Sequence, residues 1–287
     1  MKYSYEISIR GKDHEDRNLP CQDYCTVMHF DEKNILGIVA DGVGSESHSD
    51  FGASIAVHAL KKVLKEKFNP DMQDEEILKL LNMAFCEANE TVKKCALESG
   101  YDPGQCDTTL SAAILRNNDL FYGHVGDSGI IALQSDGTIC AVTKKQQDSE
   151  GRVYPLCFVE EKGVFEKFDG TVASVILATD GIFDTLTPVY LKDEKTPVYN
   201  ALAMAWMDIR ATDVENVGID AVREKITDYL SEIPKEVIGD DKSLVVLMDS
   251  GVVIEYKEDE YYSEPDWEDI IKRWREDYFR KAYPHLI

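Results

Sequence analysis

The chain is short of most features that would place it outside the cytoplasm or on a polyanion. None of its apolar runs approaches the roughly 18 uninterrupted residues that a membrane span needs. The start, Met1-Lys2-Tyr3-Ser4-Tyr5-Glu6, has no apolar core of a secretory signal. A cytoplasmic location with no membrane contact is therefore expected. Cys-x-x-Cys pairs are missing, and the seven cysteines are an odd count suited to free thiols in a reducing compartment. Cys21, Cys25 and His29 recur at a four-residue spacing, but the segment reads as a strand without a fourth ligand, so zinc is not expected. Basic residues are scarce, 31 against 54 acidic ones, and the formal charge of −23 argues against nucleic acid as a partner. No Gly-x-Ser-x-Gly elbow surrounds Ser47 or Ser128, which removes the usual setting of a serine nucleophile. Internal repeats and low-complexity linkers are also lacking.

What is present is a chain of 287 residues, 44% apolar, long enough for a substantial core. Residues 3 to 10 alternate weakly up to Gly11, and the runs Cys25 to Phe30 and Ile35 to Ala40 flank a short polar turn, which predicts a hairpin. Residues 52 to 68 and 75 to 97 carry apolar residues at helical spacing, notably Ala56, Leu60, Leu64 and Ile77, Leu81, Ala88. Strands are expected at Thr109 to Leu115, Leu120 to Val125, Ile130 to Leu133 and Thr138 to Val142, with turns too short for parallel crossovers. Residues 143 to 170 read as an irregular surface flap. Then come a strand at Val172 to Ala178, helices near 198 to 209 and 217 to 230, and strands at Leu244 to Met248 and Val252 to Tyr256. Hairpins in place of crossover helices favour an antiparallel sheet pair flanked by helices. Two units are expected, a main domain over 1–256 and a charged, aromatic helical extension over 257–287. In that extension Trp267, Ile270, Ile271, Trp274 and Tyr278 share one stripe, which either docks back on the domain or meets a partner.

Asp-Gly pairs are usually turns. Asp136-Gly137 and Asp169-Gly170 need no other explanation, but Asp41-Gly42 and Asp180-Gly181 each follow a buried apolar run. Asp127, Asp240-Asp241 and Asp23 repeat the arrangement at other strand ends. A carboxylate at the rim of a core is penalised by desolvation unless something compensates it. If these groups converge, each close pair repels by roughly 4 kcal/mol at an effective dielectric near 20, so cations or protons must hold the cluster together. All-oxygen ligands favour Mg²⁺ or Mn²⁺, and a pair of such ions is suited to phosphoester hydrolysis by an activated water.

Six segments then fall in a telling order: His14 to Asp23, Asp41-Gly42-Val43-Gly44, Asp107-Thr108-Thr109-Leu110, Val125-Gly126-Asp127-Ser128, Ala178 to Asp184, and Asp240-Asp241-Lys242-Ser243. Together they resemble the metal-dependent type 2C (PPM) serine/threonine protein phosphatases, in their bacterial branch, over about residues 5 to 250. The resemblance implies an α+β fold: a four-layer α-β-β-α sandwich of two stacked antiparallel sheets with helices outside. It implies that Asp41 bridges two Mn²⁺ or Mg²⁺ ions, that the Gly42 carbonyl ligates one, and that Asp180 and Asp240 complete the other site. Asp23 would hold metal-bound water. Asp127 matches the acid that joins Asp180 and Asp184 at a third, weaker ion in related bacterial enzymes, and Thr108 and Thr109 match a structural strand element. The implied partners are a phosphoprotein substrate and a cognate serine/threonine kinase, with the chain acting as a monomer.

The chain departs from the family pattern at several positions. Asn18 stands where many relatives carry a phosphate-binding arginine, leaving Arg17, Arg10 or His14 as replacements. Gln22 replaces a common Glu, Val43 a histidine proposed as general acid, and Gly129 a frequent arginine. Two rivals stay open: a catalytically silent phosphatase fold that binds phosphoproteins or regulates a partner, and a metal phosphohydrolase acting on small phosphoesters.

Overall fold

The structure, a computed structural model, describes residues 1–282. The chain opens with β1 (Lys2–Ile9), the one-turn α1 (Lys12–Asp16), and the hairpin β2 (Asp23–His29) and β3 (Asn34–Asp41). Two long helices follow, α2 (Ser49–Lys67) and α3 (Asp74–Glu98). Four short-turn strands come next: β4 (Leu110–Arg116), β5 (Asp119–Val125), β6 (Gly129–Gln134) and β7 (Ile139–Ala141). After α4 (Val159–Lys162), the chain forms β8 (Val164–Lys167), β9 (Val172–Ala178) and α5 (Asp180–Leu186). Helices α6 (Asn200–Met207), α7 (Ile209–Thr212), α8 (Val214–Val217) and α9 (Ile219–Glu232) then lead to β10 (Lys242–Asp249) and α10 (Trp267–Ala282).

The strands make two five-stranded sheets, ordered β1-β10-β9-β6-β7 and β2-β3-β4-β5-β8, with antiparallel pairing throughout. They stack face to face, so each central strand is covered on both sides. Val39, Val175, Leu177, Val245 and Leu247 fill the layer between the sheets. Their sequence neighbours point outward: Ile38 and Leu36 meet α2 and α3, while Ile176 and Val246 meet the helices after β9. Adjacent residues such as Val245 and Val246 are therefore both fully buried. Each such side chain contributes roughly 1.5–3 kcal/mol by leaving water, which is why these strands read as unbroken apolar runs.

Helix α3 starts in a capping box, with the Glu76 carboxylate accepting the Gln73 backbone N–H at 2.8 Å. Its buried stripe (Ile77, Leu81, Ala84, Ala88) packs with that of α2 (Ala56, Leu60, Leu64) onto the β2–β5 sheet.

Two expectations need correction. The flap contains β8, whose Phe165 and Val164 pair with Gly123 and His124 as the edge of the second sheet. Residues 252 to 256 form no strand. Val252, Ile254 and Tyr256 do alternate onto the core, but the sheet position beside β10 belongs to β1, and the segment donates Glu255 N–H to the Ser135 carbonyl at 2.7 Å. Beyond it, the chain docks back on the domain: Asn200 donates to the Tyr261 carbonyl (3.0 Å), and Tyr262 to the Gly137 carbonyl (2.7 Å). The final five residues of the expected 257–287 extension lie outside the described residues.

Candidate metal centre

The ends of both sheets deliver carboxylates to one cleft. Asp41 is the last residue of β3 and lies opposite Asp23, the first of β2. Asp127 follows β5, Asp180 opens α5 just past β9, and Asp240 precedes β10. Carboxylate oxygens of Asp41, Asp127 and Asp180 all lie within 4.8 Å of one another. Asp240 borders the same cavity of about 310 Å³, together with Gly42, Gln22 and Arg17.

The backbone around Asp41 is pinned. Its carbonyl accepts the Thr109 N–H (2.7 Å) and the Thr108 hydroxyl (2.9 Å), and its own N–H donates to Thr109 Oγ1 (3.1 Å). Thr109 Oγ1 also bonds Ser128 Oγ at 2.9 Å, tying the end of β3 to the Asp127 loop. Only glycine fits at position 42, since a Cβ there would stand 2.8 Å from the Ser49 backbone.

Burial and mutual repulsion make this an electrostatically costly place. Burial raises the Asp41 carboxyl well above the usual range, and Asp23, Asp180, Asp127 and Asp240 push it further. Asp180 is raised to about 6, first by burial and then by Asp127 and Asp240. Asp127 is raised chiefly by burial, against the opposing pull of Lys145. Asp23, buried opposite Asp41, is raised well above its ordinary value by burial and then by Asp241, although Thr179 donates to it at 2.7 Å. At an effective dielectric near 20, two full charges 4.8 Å apart repel by about 3.5 kcal/mol, so divalent cations answer what the protein leaves uncompensated.

The residues fit such ions. The donors are all hard oxygens, as Mg²⁺ and Mn²⁺ require. In addition, the buried Gln22 Oε1, beside the cleft, has no hydrogen-bond partner among the described residues. In a second grouping, His14 with Asp240 and Asp241, the His14 and Asp241 members are already satisfied internally, while Asp240 stays exposed to the cleft. The buried Asp241 accepts from Gly11 N–H (2.6 Å), Gln22 N–H (2.6 Å) and His14 Nδ1 (2.9 Å), which straps residues 11 to 22 onto the start of β10.

Of the three phosphate candidates, Arg17 borders the cavity, exposed, with Nε donating to the Asp13 carbonyl at 3.0 Å. His14 borders it too, but is buried and held by Asp241. Arg10 lies apart and donates to the Leu19 carbonyl at 3.3 Å. Asn18 has φ +55°, a left-handed backbone that asparagine tolerates better than arginine, which accounts for the residue there. Gly129 has a steric reason as well, since a Cβ would stand 2.1 Å from the Phe183 ring. Asp184 sits at the rim in an ion pair with Lys145 at 2.5 Å rather than in the central trio. Ser128 is buried against Thr109, and Ser47 donates to Gln105 at 3.0 Å, so neither is set up as a nucleophile. Cys25 donates to the Ile7 carbonyl and His29 bonds Ser4, and neither belongs to a metal-ligating group among the described residues.

The roles of two residues were not legible in the sequence. Asp241 was legible only as the second member of an acidic pair before a buried strand. Lys145 had no signal, because its role comes from the flap folding over α5.

Residues 10–230 match the family model described as Protein phosphatase 2C. A "Serine/threonine phosphatase stp" of Listeria innocua is 33% identical over 40% of this chain; the chain spans about half of that relative, 45% of its length. "Serine/threonine-protein phosphatase 3" of Escherichia coli is 24% identical over 84% of this chain and 96% of its own. Among solved structures, phosphatase Stp1 from Staphylococcus aureus superposes with a TM-score of 0.58, covering 88% of this chain and 96% of that one at 14% identity. The catalytic domain of PstP, solved in complex with two manganese ions, gives a TM-score of 0.55 at 17% identity, covering 86% of this chain and 97% of that one. At these identities the structural likeness shows a shared fold.

Proposed function

The chain belongs to the protein phosphatase 2C family, and we propose that it is a metal-dependent phosphatase of phosphoserine and phosphothreonine esters in proteins. The observation that carries this reading is the meeting of Asp41, Asp127 and Asp180 oxygens within 4.8 Å, although 139 positions separate 41 from 180. Asp41 and Gly42 would hold one ion and Asp41, Asp180 and Asp240 another, with Asp127, Asp180 and Asp184 at a third, weaker one; bound Mn²⁺ or Mg²⁺ supplies water activation and neutralises phosphoryl charge.

The chain's own residues do the rest. Gln22 offers its unpaired Oε1 as an acceptor that orients water in the cleft, and Asp23 supports the strand end behind Asp41. Arg17, exposed at the border of the cleft, would receive the phosphate through its guanidinium. Val43 lines the same wall without a proton to give, so the leaving serine or threonine oxygen takes its proton from solvent in the cleft. The names of the relatives support a phosphoprotein substrate; a kinase is a chemically reasonable one, and a monomer suffices for the site.

The test is hydrolysis of p-nitrophenyl phosphate and of a phosphothreonine peptide with Mn²⁺ or Mg²⁺ supplied. Asp41→Asn should abolish both while the protein stays folded. A folded, metal-supplied wild type without activity would favour the silent rival, and equal turnover of peptides and free nucleotides the small-molecule one.

A further inference from the structure

A second depression adjoins the metal centre and uses two of the same residues. Asp180 and Asp240 border both the aspartate cavity and a neighbouring groove of about 500 Å³. Away from those aspartates the groove turns apolar. There it is lined by Trp267 and Ile271 of α10 together with Val237, Pro188 and Tyr190. Helix α10 is held there by edge-on ring contacts, Trp267 with Tyr199 (centroids 5.0 Å apart) and Trp274 with Tyr190 (5.1 Å). An ion pair between Arg273 and Glu194 at 2.7 Å adds to the clamp. Val237, which also lines the groove, is 67% exposed, an apolar surface left open to solvent.

We propose that this groove, walled by α10, binds the polypeptide flanking the phosphorylated residue and selects substrates that carry a large apolar side chain close to it in sequence. The proposal rests on the phosphatase reading above. Continuity of the two depressions is what commits the groove to a substrate segment. A phosphoserine or phosphothreonine placed among the aspartates leaves its neighbours to run along whichever trough opens from Asp180 and Asp240, and this one offers an apolar floor. The acidic end of the groove repels flanking carboxylates, whereas an aliphatic or aromatic side chain removes the exposed faces of Val237 and Ile271 from water.

The test compares phosphothreonine peptides that differ only by Leu or Ser at each of the three positions on either side of the phosphoresidue, with Mn²⁺ present. The wild type should favour leucine at one of these positions by at least about tenfold in kcat/KM, the scale on which apolar pockets discriminate. In Ile271→Asp and, separately, Val237→Asp, on two different segments of the lining, that ratio should fall to about one. Near-UV circular dichroism checks that each variant is folded, and p-nitrophenyl phosphate turnover in every sample reports on the metal centre. Equal rates on all wild-type peptides, or a preference unchanged in both variants, overturns the groove assignment and leaves the phosphatase reading standing. No turnover of any peptide or of p-nitrophenyl phosphate overturns both.

Discussion

Replacing Asp180 by Asn should destroy activity and yet stabilise the metal-free protein. The carboxylate oxygens of Asp180, Asp41 and Asp127 lie within 4.8 Å of one another, so full ionisation of any pair costs about 3.5 kcal/mol at an effective dielectric near 20. Protonation limits that cost. With Asp180 raised from 3.8 to about 6, the difference of 2.2 units is worth about 3 kcal/mol. Between these values the folded chain binds more protons than the unfolded one, so stability falls as pH rises, and the penalty is complete above pH 7. Asparagine keeps the shape and removes the charge. At about 2.1 cal/mol/K of unfolding entropy per residue, 287 residues give about 0.6 kcal/mol/K, so the melting temperature should rise by about 5 °C. The assay is thermal unfolding in EDTA at pH 7.5 and at pH 4, followed by Mn²⁺ titration. The variant should melt higher only at the upper pH, and Mn²⁺ should stabilise the wild type far more. A variant that melts at or below the wild type in EDTA at pH 7.5 refutes the account of the cluster as uncompensated charge, as does equal stabilisation of both proteins by Mn²⁺.

Asp241→Asn should cost about 2–3 kcal/mol in urea unfolding, because an amide cannot accept from Gly11, Gln22 and His14 together. The same change frees the segment that carries Arg17, so KM for phosphopeptides should rise more than kcat falls; an unchanged KM argues against the strap. His124 supplies a pH signature. It is buried against Ser111 (2.8 Å) and the Lys144 carbonyl (3.2 Å), and burial pushes its pKa down to about 4 from 6.5. The unfolded chain therefore binds more protons between those values, and stability should drop by about 3 kcal/mol as pH falls through the window. Urea midpoints from pH 7 to pH 4 should show a component that disappears in His124→Gln, and parallel profiles in the two proteins would count against it.

Asp41, Asp127, Asp180 and Asp240 were legible as strand-end acids because each follows or precedes a run too apolar to be anything but core. Their meeting was not, since contacts between residues 41 and 180 leave no trace in local spacing. The sheet pair was legible from hairpin order and from the family resemblance, but not from periodicity. Val245 and Val246 are both buried on opposite faces, so the period-two signal that would reveal a one-sided sheet is erased. β8 escaped because Val164-Phe165-Glu166-Lys167 is too short to show alternation, and α5 because its seven residues begin at a site aspartate. At Val252 to Tyr256 alternation was present and still misled: it reports which side chains reach the core, whereas a strand also needs a free ladder beside it.

The pairing of β1 with β10 has a consequence for synthesis. β1 sits at a sheet edge with β10 as its ladder neighbour, so β1 waits for residues 242–249 before it has a place to go. The β2–β5 sheet, built from near neighbours in sequence, can form early, while the sheet containing β9 and β10 closes late. A nascent or truncated chain that stops before Asp240 lacks both the β10 ladder and one acid of the cleft, so activity that depends on this site waits for β10.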